Sequence, residues 1–231
     1  MPDASPGFDH PIFRESIRLI RAALADPEAP EPWRLASRRW AAGAERDVLE
    51  RCIHSSGDLS LAADLVISPD ACRRGLEALS TGAPILTDTA MAAAAVQGMA
   101  GRTFGNRVAC LLEWAPDQAP PRGTRTAAAV EAAWSELASG SGSAPLVLIG
   151  SAPTALERLL ELALKPSLVI GMPVGFVGVA DSKRHLAASG LAQIRLEGSR
   201  GGAGLVGAAC NALLRRAWIQ AATAERAAPA P

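Results

Sequence analysis

The chain has 231 residues, 49% of them hydrophobic, with 23 basic and 23 acidic side chains. This length and composition predict one α/β domain with a full hydrophobic core, and no apolar run is long enough to cross a membrane. The balanced charge produces no global field towards nucleic acid or anionic lipid, so we expect neither as a partner. An acidic ligand would therefore have to be held by locally placed groups.

The cysteines and the chain ends set further expectations. The four cysteines are widely spaced, form no CxxC pair and follow no secretory signal, which predicts reduced, buried thiols in a cytoplasmic protein. Residues 1–10 and 221–231 show no packing pattern. We expect them to be flexible tails around a core of about residues 11–217.

Two predicted helices, at about residues 11–25 and 33–51, precede six short β-rich runs that alternate with Ala- and Leu-rich helical stretches. The runs cover residues 64–68, 84–88, 107–113, 146–150, 168–171 and 193–197. Their compact apolar character is typical of strands that are buried on both faces. The pattern predicts a three-layer α/β/α sandwich with a mostly parallel sheet.

The loops after these runs are candidate binding segments, because ligands of open parallel sheets bind beyond the carboxyl ends of the strands. They cover residues 68–70, 88–89, 150–154, 171–175 and 198–202 and are rich in Gly, Pro and small hydroxyl residues. Such residues let backbone amides line a cleft closely, although ordinary turns explain any single loop equally well. Residues 198–204 would also suit an anion at the start of the following helix, with simple helix capping as the alternative.

Histidine is scarce, since only His10, His54 and His185 occur, and the usual phosphate-loop, dinucleotide, nucleophile-elbow and zinc-helix motifs are missing from the sequence. A metal site would need remote ligands to converge, so we expect no metal. We expect His10 and His185 to be solvated. His54 lies where a long helix gives way to a Gly/Ser loop, and an imidazole there can exchange a proton with a ligand. A capping or packing role is the alternative for His54.

Segments in one fixed order, from about residue 11 to residue 213, resemble the motifs of one enzyme family. They read IHSSGD at 53–58, ISPD at 67–70, GAPILTD at 82–88, TRTAA at 124–128, GSAPTAL at 150–156, GMPVGFV at 171–177, DSK at 181–183, GG at 201–202 and NAL at 211–213. Together they are similar to the motifs of precorrin-8X methylmutases. By this resemblance we identify the chain as a member of that family.

The resemblance implies a flavodoxin-like homodimer that binds a tetrapyrrole in a cleft near the dimer interface and needs no metal or organic cofactor. It implies an isomerase of cobalamin biosynthesis that moves a methyl group from C-11 to C-12 of precorrin-8X and gives hydrogenobyrinate. The family's catalytic histidine falls on His54, which would protonate or hydrogen-bond a ring nitrogen next to the migrating methyl. Its substrate-contacting serine falls on Ser16.

The implied substrate carries many carboxylates, and the matching segments hold cations that suit them. Arg125, Arg21 and Lys183 are the candidate partners. The further candidate substrate contacts are Ser151, Thr154, Gly175, Gly201 and Gly202.

Departures from the family pattern concern the periphery of the implied site. Ser151 stands where the family has Asn, Asp181 where it has Glu, and Ile17 where an aromatic residue is usual. These positions leave open whether the substrate is metal-free precorrin-8X or its cobalt-containing form. Two other hypotheses also stay open, a non-catalytic corrinoid-binding protein and a flavin or nucleotide module suggested by the Gly-rich loops alone.

Overall fold

A computed structural model describes residues 8–140 and 143–227 of the chain. Its sheet has the order β1-β6-β5-β4-β2-β3, and all neighbouring strands are parallel except β1, which pairs antiparallel with β6 at one side of the sheet. The mostly parallel sheet and all six predicted strands are therefore confirmed. The strands are Leu65–Ile67 (β1), Ile85–Thr87 (β2), Val108–Cys110 (β3), Leu146–Ile149 (β4), Leu168–Gly171 (β5) and Gln193–Leu196 (β6).

The five parallel strands have the flavodoxin order. Counted along the chain from β2 to β6, they lie in the order 2-1-3-4-5 across the sheet. The direction of winding reverses between β2 and β4, which is the topological switch point of this fold. The predicted flavodoxin-like sandwich is confirmed, with β1 as an added antiparallel strand.

Helices cover both faces of the sheet. The core on one face comes from α1 to α6 and α10, and the core on the other from α7, α8 and α9. All four cysteines are buried and free, which confirms that they are small core residues. The helices are Pro11–Ala25 (α1), Glu31–Arg39 (α2), Ala44–Ser56 (α3), Leu61–Asp64 (α4), Ala71–Ser80 (α5), Ala90–Arg102 (α6), Arg125–Gly140 (α7), Pro153–Glu161 (α8), Val179–Ala188 (α9) and Ala203–Ala227 (α10), and a 3₁₀ turn, Leu111–Trp114, follows β3.

The single helix predicted at residues 33–51 is wrong, because two helices occupy this region. α2 ends at Arg39, and α3 begins after Gly43, whose φ of +94° lies outside the helical region. The break lets the Trp40 side chain turn into the core, where it is buried. The alanines at positions 41 and 42 suit a helix as well as a loop, so the sequence pattern concealed this break.

Both ends of the packed domain extend further than predicted. α10 continues to Ala227, past the expected limit at residue 217. At the other end, Nδ1 of His10 accepts a hydrogen bond from the N–H of Ile12 and caps α1, and the buried carboxylate of Asp9 pairs with Arg215. Residues 8–10 are therefore packed, whereas the predicted tails at 1–7 and 228–231 lie outside the described residues. No helix in the described ranges is long and apolar enough to cross a bilayer.

The direction of β1 decides which segments share the edge where β2 to β6 end, here called the carboxyl edge. Residues 68–70 follow β1, and the N–H of Ser68 donates to the carbonyl of Gln193 at the start of β6 (3.0 Å). The prediction that residues 68–70 join the other loops is therefore wrong. The segment before β1 lies at the carboxyl edge instead, where the N–H of Glu197 donates to the carbonyl of Asp64 (2.9 Å).

Candidate active site

The loops after β4, β5 and β6 are hydrogen-bonded to one another along the carboxyl edge. The N–H of Val174 donates to the carbonyl of Gly150 at 3.2 Å, which joins the loops after β5 and β4. The N–H of Gly175 donates to the carbonyl of Ser199 at 3.1 Å, which joins the loops after β5 and β6. The predicted contacts at these loops therefore lie on one continuous surface.

Two glycines after β6 are required by this close packing. A β-carbon on Gly201 would lie 1.9 Å from the carbonyl oxygen of Met172, so no other residue fits there without moving the backbone. Gly202 has φ of +127°, a conformation that side chains disfavour, and its N–H donates to the same carbonyl at 2.9 Å. Both glycines bring the start of α10 against the loop after β5.

The segment that carries His54 is attached to the loop after β6 by Arg200. The Arg200 guanidinium donates to Oδ2 of Asp58 at 2.7 Å and to Oγ of Ser60 at 2.6 Å, and it also pairs with Asp64. These acceptors lie between the end of α3 and β1. The ion pairs thus hold the end of α3 at the carboxyl edge.

His54 lies in the last turn of α3, which ends at Gly57 in the left-handed conformation. Nδ1 of His54 is 2.7 Å from Oγ of Ser16 on α1. The two residues that the family resemblance singled out are thus hydrogen-bonded neighbours. With the serine hydroxyl as donor, the neutral ring carries its proton on Nε2, which is then the nitrogen available to a ligand.

Phe13 and Arg51 complete the surroundings of the imidazole. The Phe13 ring meets the His54 ring edge-on, with centroids 5.1 Å apart and an interplanar angle of 88°. The guanidinium carbon of Arg51 lies 4.6 Å from the centroid of Phe13, one helical turn from His54 on the same face of α3. The pKa of His54 is lowered, first by burial and then by the positive charge of Arg51, so the neutral ring is favoured at neutral pH.

Asp88 occupies the topological switch point. One of its oxygens, Oδ2, accepts hydrogen bonds from the backbone N–H groups of Gly150 (3.0 Å), Ser151 (2.6 Å) and Ala152 (2.8 Å). The residue is fully buried. Its carboxylate therefore holds the loop after β4 in place and accepts the hydrogen bonds of the backbone N–H groups that precede α8.

Lys183 lies beneath the loop after β6. Its Nζ donates to the carbonyls of Gly198 (2.8 Å) and Arg200 (2.6 Å), and the residue is 1% exposed. Burial lowers the pKa of the ammonium to about 8. A substrate carboxylate would have to displace these carbonyls, so the geometry supports a loop-fixing role for Lys183 in place of the predicted direct contact.

Arg125, Ser151 and Thr154 lie near the end of β4, and β4 is two strands away from β6, about 10 Å across the sheet. Oγ1 of Thr154 is 2.7 Å from Oγ1 of Thr124, next to Arg125 at the start of α7. The exposed Arg125 donates from Nε to the carbonyl of Pro116 at 2.7 Å. These residues thus form a second part of the surface, separate from the pair formed by Ser16 and His54.

Arg21 is engaged with a buried acid. Its guanidinium makes a two-fold contact with the carboxylate of Glu50, at 2.7 and 2.8 Å, and Arg46 donates to the same carboxylate at 2.6 Å. The Glu50 side chain is only 4% exposed. The arrangement supports a role for Arg21 in joining α1 to α3, so the predicted contact with substrate would have to compete with this ion pair.

The family model described as precorrin-8X methylmutase matches residues 11–216. A precorrin-8X methylmutase from Pseudomonas aeruginosa is 44% identical over 211 residues, which cover 87% of this chain and 93% of the relative. A cobalt-precorrin-8 methylmutase from Synechocystis is 32% identical over 228 residues, covering 91% and 97%. The chain belongs to the precorrin-8X methylmutase family. The predicted family is confirmed, and with it the enzyme class, an isomerase that moves a methyl group within its substrate in cobalamin biosynthesis.

A solved methylmutase structure is similar throughout the fold. The precorrin-8X methylmutase from Thermus thermophilus superposes with a TM-score of 0.72 at 36% sequence identity, covering 89% of this chain and 95% of that one. The likeness therefore covers most of the fold of both chains.

Sequence reasoning did not name Phe13 or Arg51 as members of the candidate site, and it included Asp88 only as part of the candidate loop at residues 88–89. The three-residue spacing between Arg51 and His54 was a usable signal, because it places both on one face of a helix. Nothing in the sequence indicated that Phe13 would lie between them or that Asp88 would accept three amides. Within the described residues, no three His, Cys, Asp or Glu side chains lie close enough to hold a metal ion.

Proposed function

We propose that this chain is a precorrin-8X methylmutase that moves the C-11 methyl group to C-12 and gives hydrogenobyrinate, with His54 as proton donor. The observation that carries the proposal is the pair formed by His54 and Ser16 at the carboxyl edge, in a chain whose residues 11–216 match the family model. A proton or hydrogen bond on the neighbouring ring nitrogen weakens the bond to the migrating methyl, and the product gains conjugation. The proton returns to His54 because the reaction is an isomerisation.

Ser16 supports this step through His54. Its hydroxyl is within hydrogen-bond distance of Nδ1, so it restrains the direction of the ring, and as the donor it leaves the proton of the neutral ring on Nε2. Phe13 restrains the same ring from its edge. In this proposal, Ser16 is a positioning residue in addition to any contact of its own with the macrocycle.

The carboxyl edge offers both surfaces that a carboxylated macrocycle needs. Apolar side chains are exposed there, including Met91 after β2 and Val174 after β5, and they suit the flat face of a tetrapyrrole. Arg125 at the start of α7 is the cation that we assign to a carboxylate near the end of β4. Binding at both places would hold the flexible macrocycle in its reactive shape.

We also propose a homodimer. Phe176 and Val177 follow β5 and are 96% and 89% exposed, which is an unusual state for two adjacent large apolar side chains. A second copy of the chain would cover them and bring its surface next to the substrate cleft. The free, buried thiols are typical of a reducing compartment, and we place the enzyme in the cytoplasm.

The alternative of a flavin or nucleotide module is disfavoured by Asp88. In a flavodoxin-like fold, phosphate groups bind amides near the switch point, but the amides of residues 150–152 donate to the Asp88 carboxylate. A phosphate would meet a negative charge there. A non-catalytic corrinoid-binding protein shares the proposed cleft, so only turnover distinguishes it from the enzyme.

The deciding experiment is incubation of the purified protein with precorrin-8X, and in parallel with its cobalt-containing form, followed by visible spectra. We expect conversion to hydrogenobyrinate by the wild type. His54→Ala should abolish conversion, and His54→Asn should keep binding without turnover, because an amide donates a hydrogen bond but transfers no proton at useful pH. His185→Ala, at an exposed position paired with Glu157, is the control. Conversion by His54→Ala at the wild-type rate would remove His54 from the mechanism.

A further inference from the structure

A cavity of about 250 Å³ between α1, α3 and α10 is lined by Phe13, the ring that contacts the His54 imidazole. Four arginines and three acidic residues line it. The cavity begins one helical turn from the imidazole, because Arg51 lies in its wall. Because the cavity lies next to the proposed catalytic residue, a ligand in it would depend on which of these charged side chains are already paired within the protein.

The acids of this cavity are already engaged with arginines. Each forms at least one ion pair with a guanidinium at hydrogen-bonding distance, so none of them needs a further cation. The pairs are Glu50 with Arg21 (2.7 Å), Asp9 with Arg215 (2.7 Å) and Asp47 with Arg216 (3.2 Å).

Arg51 differs from the other arginines that line the cavity. Within the described residues its guanidinium has no hydrogen bond and no carboxylate at ion-pair distance, and it stacks on the Phe13 ring instead. The acidic charge that acts on it is that of Asp9, which is bonded to Arg215. Burial lowers the pKa of the Arg51 guanidinium, although an arginine stays charged in proteins. A half-buried cation without a bonded anion is a favourable position for a ligand carboxylate.

We infer that Arg51 binds one peripheral carboxylate arm of the tetrapyrrole substrate, in the cavity beside Phe13. The inference rests on the proposed function. Arg51 and His54 are three residues apart on one face of α3, which is about 4.5 Å along the helix axis. A macrocycle with a ring nitrogen at His54 therefore has an acetate or propionate arm within reach of the Arg51 fork. The guanidinium lies over the Phe13 ring, 4.6 Å from its centroid, and this contact holds the fork in the wall of the cavity.

This contact would couple binding to the protonation of His54. The charge of Arg51 is one of the two causes that lower the pKa of His54. A carboxylate bound to Arg51 neutralises that charge, so the pKa of His54 rises when the substrate arrives. The imidazole would then be more readily protonated with substrate bound than in the free protein.

The test is titration of three variants with hydrogenobyrinate and with its fully methyl-esterified form, which lacks the carboxylates. Arg51→Gln removes the charge, and Arg51→Lys keeps the charge without the fork. Arg18→Gln removes one charge from a pair with Glu15 on α1, where the side chain is 65% exposed and outside the cavity, and is the control. Thermal melts of each variant report on folding, and turnover of precorrin-8X by the wild type tests the proposed function separately.

We expect Arg51→Gln to weaken the affinity for hydrogenobyrinate about ten- to a hundredfold, with Arg51→Lys intermediate and Arg18→Gln unchanged. The affinity for the ester should change less than about threefold in all variants, because no carboxylate is left to lose its partner. Wild-type affinity in Arg51→Gln, or an equal loss for acid and ester, would overturn the inference while leaving the proposed function intact. A wild type that neither converts precorrin-8X nor binds hydrogenobyrinate would overturn both.

Discussion

The contact of Ser16 with His54 joins two side chains that are 38 positions apart in the sequence. A serine on a helix is unremarkable by itself, because it usually faces solvent or bonds to its own backbone. Here the hydroxyl is bonded to Nδ1 of His54. In the proposed mechanism Nε2 meets the substrate, so Ser16 acts on the rate of the methyl shift through the imidazole.

We predict that Ser16→Ala lowers kcat by about two- to tenfold with little change in KM, because one hydrogen bond of about 0.5–1.5 kcal/mol that orients His54 is lost. Ser16→Leu should lower kcat further, because its larger side chain displaces the ring. Steady-state kinetics with precorrin-8X measures both. Ser135→Ala, at an exposed serine on α7, is the control. Equal kcat values in the wild type and both Ser16 variants would exclude the positioning role.

A second prediction about a single residue concerns the pKa of His54. Its pKa should lie below the ordinary value of about 6.5, because burial and Arg51 both disfavour the imidazolium. The stability that the neutral ring contributes is therefore present above about pH 6.5 and is lost as the pH falls through the folded-state pKa. NMR titration of the ring protons measures it, and Arg51→Gln should move the pKa upward while Arg18→Gln leaves it in place. A wild-type pKa at or above 6.5 would contradict this account.

Among the elements, the loop after β6 depends on a buried lysine. Lys183→Met should weaken hydrogenobyrinate binding, because the carbonyls of Gly198 and Arg200 lose their donor. The lysine is protonated up to about pH 8 when folded but up to about pH 10.4 when unfolded. The unfolding free energy of the wild type relative to Lys183→Met should therefore rise with pH across this interval, by up to about 1.4 kcal/mol per pH unit.

Urea unfolding at several pH values measures this dependence on Lys183. Lys165→Met, at an exposed lysine, is the matched control and should show no such slope. If the difference in unfolding free energy between the wild type and Lys183→Met stays constant from pH 8 to pH 10, the ammonium keeps an ordinary pKa in the folded chain.

The loop after β4 depends in the same way on Asp88. Asp88→Ala leaves three backbone amides without their acceptor, so we predict a loss of about 2–5 kcal/mol in the free energy of unfolding. Asp88→Asn keeps one oxygen acceptor without the negative charge and should lose less. Asp181→Ala, at an exposed acid on α9, is the control. An unfolding midpoint for Asp88→Ala equal to that of the control would contradict the role of Asp88 as acceptor of these three amides.

At the scale of the whole molecule, the exposed Phe176 and Val177 predict association. Sedimentation analysis should give a dimer for the wild type, and Phe176→Ser should shift the population towards monomer with unchanged helical content by circular dichroism. Leu35→Ser removes another exposed apolar side chain, on α2, and should leave the dimer intact. A monomeric wild type at micromolar concentration, or a Phe176→Ser variant that dimerises normally, would refute this interface.

The sequence by itself determined the strands, the first helix and the family. Short apolar runs bounded by Gly and Pro identify buried parallel strands because both faces of such strands are covered. The motifs singled out His54, since a fixed order of short segments is readable without coordinates, and the family resemblance that they carry implied Ser16. The break between α2 and α3 was not readable, because alanine satisfies helix and loop alike.

Only the tertiary structure decided which residues share a site. The antiparallel direction of β1 removed residues 68–70 from the carboxyl edge and placed residues 58–64 there, and strand direction depends on pairing with β6. The same holds for Lys183 beneath its loop, Asp88 on three amides and Arg51 stacked on Phe13. The sequence does not indicate whether a charged side chain interacts with a backbone carbonyl, a buried carboxylate or a ligand. Its partner is decided by burial and by the packing of elements far apart in the chain.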